Sequence, residues 1–142
     1  MLIRVRADAD LDDCEKVAQA VHSLDGYPAY LRDMRSFLVS ADALCAWVID
    51  DDVISGHVAL HRRSFEAVMA TASTVLGVPR EQIGVVARLF VAPEHRGKGF
   101  GRALLTTATH RREFVVTRSL MLSHAHCSTT QAGTSMPRPG LL

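Results

Sequence analysis

Apolar and charged residues alternate in LIRVR (2–6), the period of a half-buried strand. From residue 11 the spacing changes. Leu11, Cys14, Val17, Ala18 and Val21 recur at helical intervals, which predicts an amphipathic helix over 11–23. Asp10 offers it an N-cap, and Asp12, Asp13 and Glu15 place negative charge in its first turn, where the helix dipole favours it. DGYP (25–28) is turn chemistry, and residues 29–39 are read as a second, shorter helix. LCAWVI (44–49) and VISGHVALHR (53–62), separated by Asp50–Asp52, predict a hairpin. SFEAVMATASTVL (64–76) reads as a short helix or mobile insertion ending near Gly77 and Pro79. IGVVARLFVAP (83–93) is almost continuously apolar, as a strand covered on both faces must be. Phe100, Leu104, Leu105 and Ala108 then give another helix its apolar side.

Beyond His110 the pattern degrades. REFVVTRSL still permits a strand, with 113–118 as its centre, but SHAHCSTTQAGTSMPRPGLL from Ser123 has neither period. Such a segment buries too little apolar surface to offset its ordering entropy. The expected organisation is therefore one domain over 1–118 and an irregular tail over 119–142.

Composition narrows this picture only slightly. The chain has 142 residues, 48% hydrophobic and 22% charged, with a formal net charge of +1. That balance suits one globular core and gives no bulk attraction to nucleic acid. No apolar run is long enough to span a bilayer, and the N-terminus lacks a signal-peptide core, so no membrane partner is expected. Three cysteines in unrelated contexts argue for a reducing, cytoplasmic setting.

The chemistry concentrates between the long strand and the following helix, in Arg96-Gly97-Lys98-Gly99-Phe100-Gly101-Arg102. Glycines let the backbone approach a ligand closely. The first-turn amides of a helix lack internal partners and carry partial positive charge. Together with the flanking cations they form an anion cradle suited to phosphate. The loop is not a P-loop, because Gly99 rather than Ser or Thr follows Lys98. It is not a dinucleotide fingerprint either, because the glycines are spaced by one residue.

The order strand, Arg96-x-x-Gly99-x-Gly101, helix closely resembles motif A of the GCN5-related N-acetyltransferase (GNAT) superfamily. The upstream order of strand, two helices, hairpin and long strand is similar as well, so the resemblance covers residues 1 to about 112. It implies an α/β fold with a mixed central sheet flanked by helices. It also implies acetyl-CoA as co-substrate and an acetyl transfer by direct attack of an amine, borne by a small molecule or a peptide. Arg96 to Arg102 would hold the pyrophosphate. The backbone of Leu89, Phe90 and Val91 would bind the pantetheine arm, with a bulge there aiming one N–H at the thioester carbonyl.

An alkylammonium of pKa near ~10 is well under ~1% free base at neutral pH, so a proton acceptor is needed. Glu66, His57 and His61 are the candidates in the expected cleft, and none stands out as catalytic; Arg88, in the strand before the loop, is open to pointing either into the cleft or across the sheet. His57 and His61, roughly 13 Å apart on one strand face, cannot share a metal. His124, His126 and Cys127 lack a scaffold for a zinc site, so no metal is expected.

The family's later Leu-Tyr-x-x-x-Gly-Phe/Trp helix, whose tyrosine commonly protonates the departing thiolate, has no counterpart; Tyr27 and Tyr30 lie far upstream. Read one base earlier, the codons for 125–133 permit Leu-Leu-Tyr-Asp-Ala-Gly-Trp, similar to the missing segment. The expectation is a frameshifted tail and a fold lacking its C-terminal helix and strands. The alternative function is a catalytically impaired remnant that retains at most CoA binding. A homodimer stays open.

Overall fold

The computed structural model describes residues 1–29 and 32–110, and the backbone of 115–117. Among these residues five strands form one sheet in chain order: β1 (Leu2–Val5), β2 (Ala43–Asp51), β3 (Val53–His61), β4 (Ile83–Val91) and β5 (Val115–Thr117). β1 to β4 are antiparallel, while β5 runs parallel to β4. The helices are α1 (Leu11–Asp25), α2 (Met34–Leu38), α3 (Glu66–Leu76) and α4 (Phe100–Thr109). The mixed sheet flanked by helices is the expected class. The expected loss of a C-terminal helix and strands, and the tail from residue 119, fall outside the described residues.

The helical spacing read in 11–23 is the buried stripe of α1: Leu11, Cys14, Ala18 and Val21 face the sheet, with Val17 packed beside them. Each such fully buried aliphatic side chain contributes roughly 1.5–3 kcal/mol relative to exposure. Gly26 ends α1 in the left-handed region, φ 71°, and its N–H reaches the carbonyl of His22 at 2.9 Å. Asp10 does not cap α1. Its carboxylate turns back to the Arg4 guanidinium (2.7 and 2.8 Å) and the Ala7 N–H (2.7 Å), because a buried carboxylate is better compensated by a cation than by one more amide. The second helix is shorter than 29–39. A cis Tyr27–Pro28 bond carries the chain out of the turn, and Asp33 caps α2 by accepting from the Ser36 N–H at 3.1 Å.

α1 and α2 cover one face of the sheet with Tyr27, Val48 and Phe90. α4 covers the other, with Phe100, Leu104, Leu105 and Ala108 packed on Trp47, Ile49, Val58, Leu60 and Val86. Residues 64–76 form a true helix. Met69 and Ala72 of α3 bury Ile83 and Val85 of β4, while Val86 faces α4. That two-sided cover is why β4 reads as an unbroken apolar run.

Candidate active site

β4 and α4 present the glycine-rich loop between them. After β4 the chain makes a 3-10 turn at Pro93–His95, and the Ala103 N–H closes the first helical bond onto the Gly99 carbonyl at 3.1 Å. Gly97 and Gly99 both sit in the left-handed region, φ 79° and 82°. A side chain there would meet nothing within 4 Å, so the glycines serve the backbone conformation and leave its outer surface open. The amides of Phe100 and Gly101 precede that first helical bond, as first-turn amides do. The Phe100 ring anchors the loop from below: it is buried in the α4 cluster and stacks on His95 at 5.8 Å.

The three cations of the loop are not equivalent. Arg96 is ion-paired with Asp25, the last residue of α1, and both side chains are largely buried, 17% and 13% exposed. Lys98 stands exposed, its Nζ 3.4 Å from His95 Nδ1. Arg102 is exposed on the first turn of α4. Asp25 could not be found from sequence, since it lies 71 residues from Arg96 in an unremarkable helix end.

Upstream of the loop, β4 carries a bulge. His57 pairs with Phe90 and Ala59 with Ala87, so Val58 opposes two residues, Arg88 and Leu89. Arg88 holds φ 55°, a strained value for a side chain of its size. The bulge thus begins one residue before the 89–91 segment in which it is expected from the sequence. β5 pairs with β4 only over Ile83–Val85, so beyond that point the same edge of β4 has no strand partner among the described residues.

The expected face of β3 is correct. Val58 and Leu60 belong to the α4 cluster, and His57, Ala59 and His61 face the other way. His57 is fully committed: Nδ1 lies 2.8 Å from the Arg88 carbonyl and Nε2 3.0 Å from Arg6 Nη1, while its ring stacks on Phe90 at 5.1 Å. Nδ1 therefore carries the proton and Nε2 accepts from Arg6. Burial pushes this imidazole down to about 3, and that of His61 down to about 4. His57 has no free lone pair with which to take a proton. Glu66 is 76% exposed and paired with Arg80 at the start of α3. Arg88 Nε donates to the Phe37 carbonyl at 2.9 Å, and Arg6 Nη1 to that of Leu38 at 2.9 Å, so two arginines satisfy the last carbonyls of α2. Tyr27, remote in sequence, packs edge-on against Phe37 in the same cluster; burial raises its phenol to about 12. His124, His126 and Cys127 lie outside the described residues. No helix among the described residues is long and apolar enough to cross a membrane.

Structural comparison places the chain beside three solved proteins. The ribosomal-protein-S18-alanine N-acetyltransferase from Escherichia coli is 15% identical with a TM-score of 0.51, over 76% of this chain and 56% of that one. A GNAT-like decarboxylase in complex with isobutyryl-CoA is 23% identical, TM-score 0.59, over 82% and 64%. A GNAT family acetyltransferase from Brucella melitensis in complex with acetyl-CoA is 16% identical, TM-score 0.53, over 86% and 79%. The chain thus spans little more than half the length of the first of these. Identities this low establish a shared fold. A search of curated proteins finds no match. The sequence model of the acetyltransferase (GNAT) family matches residues 10–126, most of the chain. The chain therefore belongs to the GNAT acetyltransferase family.

Proposed function

We propose that this chain is an acetyl-CoA-dependent N-acetyltransferase in which residues 96–102 hold the pyrophosphate. The observation that carries the reading is the loop itself. Two left-handed glycines with open space above them lead into the first turn of α4, directly after a bulged strand whose edge beyond Val85 has no strand partner among the described residues. The backbone of Leu89, Phe90 and Val91 on that edge would hydrogen-bond the pantetheine arm. An N–H freed at the bulge would polarise the thioester carbonyl as charge builds on its oxygen. Lys98 and Arg102 would add positive charge, whereas Arg96 acts on the loop through Asp25. The bound acetyl-CoA of the Brucella relative supports the same co-substrate here.

In this mechanism the neutral amine attacks the thioester carbon, the C–S bond breaks, and CoA leaves as a thiolate that takes up a proton. The amine's surplus proton passes to water. His57 is excluded as its acceptor because both ring nitrogens are engaged. The free thiols of Cys14 and Cys45 fit a cytoplasmic setting.

Isothermal titration with acetyl-CoA tests the reading, comparing the wild type with Gly99→Glu. That change puts a side chain and a negative charge where the pyrophosphate would lie, and binding should fall by about tenfold or more. Equal affinity would refute the loop assignment. The decarboxylase neighbour sets a second criterion: the products must be free CoA thiol and an acetylated amine.

A further inference from the structure

The face of the sheet under α1 and α2 holds a cation without a counter-ion. Arg88 leaves β4 at the bulge. Its Nε is fixed on the Phe37 carbonyl, and its guanidinium carbon lies 4.4 Å from the centroid of the Phe37 ring. Those contacts set the plane of the group and use only one of its donors. Among the described residues no carboxylate lies within ion-pairing distance, and neither Nη group donates to a protein acceptor. Burial disfavours its charge. A half-buried guanidinium without an anion is costly, and native structures rarely retain one idle.

A second unsatisfied group lies on the same face. His61 is 5% exposed, and its Nε2 is sealed from solvent with no hydrogen-bond partner among the described residues. It stands opposite Val85, close enough to Arg88 for the two to interact electrostatically. Arg6 brings another positive charge to the same region but is engaged by Leu38 and His57. The acid that acts on Arg88 at a distance, Asp42, is ion-paired with Arg63 at 3.7 Å. The region therefore has excess positive charge, one guanidinium edge to spare and one spare imidazole nitrogen.

We infer that the acceptor amine of this chain also carries a carboxylate, received by the Nη groups of Arg88. The inference rests on the acetyl-transfer reading and narrows its substrate class to amino-acid-like amines. A planar guanidinium held by ring stacking and one carbonyl is preorganised for the two oxygens of a carboxylate. Its root at the bulge puts that contact beside the strand segment proposed to hold the thioester. The carboxylate is a handle only; bonds change at the amine nitrogen and the thioester carbon, as above.

The test measures CoA release from acetyl-CoA with the common amino acids, each paired with its carboxamide, in wild type and Arg88→Gln. In the wild type at least one carboxylate should exceed its carboxamide in kcat/KM by about tenfold or more. Arg88→Gln should abolish that preference while leaving the Kd for acetyl-CoA within about twofold. Thermal stabilisation by the same pairs gives a readout that needs no turnover. Equal behaviour of carboxylates and carboxamides in wild type overturns the inference, whatever the variant does. Failure of acetyl-CoA to bind would instead overturn the transfer reading, and the stabilisation series would still decide the carboxylate site.

Discussion

Arg96, which opens the glycine-rich loop, is tied to Asp25, which closes α1, by an ion pair that is largely withdrawn from solvent. The pair fastens the loop to the helix on the opposite face of the sheet from α4. A charge left alone in such a place is destabilising, so either partner's loss should matter more than for an exposed pair. Asp25→Ala should lower stability by about 1–3 kcal/mol and weaken acetyl-CoA binding, although Asp25 lies outside the loop. A double-mutant cycle with Arg96→Ala, read by urea denaturation and by titration, should reveal coupling of about 1 kcal/mol or more. Additive effects would show that the pair is incidental.

The glycines divide into two kinds. A Cβ on Gly56 would lie 3.0 Å from Leu104 Cδ1 and 3.3 Å from the Phe90 carbonyl oxygen, where α4 packs closely on β3. Gly56→Ala should therefore overpack that contact at a cost of about 1–3 kcal/mol. Gly97→Ala meets no atoms and costs only its left-handed backbone, about 1 kcal/mol. Acetyl-CoA affinity separates them. Gly97→Ala should lose more affinity than Gly56→Ala at equal folded fraction, and the reverse order would count against the loop as the binding element.

Stability should depend on pH in two windows. His57 and His61 titrate near 3 and 4 in the folded chain against an ordinary value near ~6.5, so the unfolded chain binds their protons first. Their contribution is intact above about pH 6.5. It is lost progressively as pH falls toward their folded values, at up to about 1.4 kcal/mol per unit for each. Asp10 acts lower. The Arg4 hydrogen bond holds its carboxyl below the usual range, so its stabilisation is present above about pH 4 and lost below that. Urea midpoints from pH 8 to 4 should decline below 6.5, and a His57→Gln, His61→Gln variant should flatten the decline. An unchanged slope would contradict the assignment.

Arg6 joins three elements, because it extends from the end of β1 to the Leu38 carbonyl and to His57 Nε2. Arg6→Leu would leave two buried acceptors unsatisfied and should cost about 2–4 kcal/mol. NMR titration should show the His57 pKa rising, since the guanidinium opposes its protonation. A variant as stable as the wild type would argue that water replaces both contacts.

Much of this was legible along the chain because it depends on local spacing. The stripe of α1, the apolar side of α4 and the two-sided burial of β4 follow from period alone, as does the placing of a glycine loop between strand and helix. The Asp10 cap failed because a propensity for capping lost to a charged partner, Arg4, that a strand brings within reach. The bulge lies one residue earlier than expected, at Arg88–Leu89, because register is a property of two strands, and Val58 has to be opposite both before either can be called extra.

The sequence by itself determined the element order, the class of fold and the glycine-rich loop between β4 and α4, since each is written in residues close together in the chain. Only the tertiary structure decided what the charged groups do. It gave Arg96 to Asp25, closed His57 between Arg6 and the Arg88 carbonyl, and left Arg88 without a counter-ion, and His61 Nε2 without a hydrogen bond, among the described residues. Burial and long-range pairing set the cost of a charge, and neither exists until the sheet and its helices have come together.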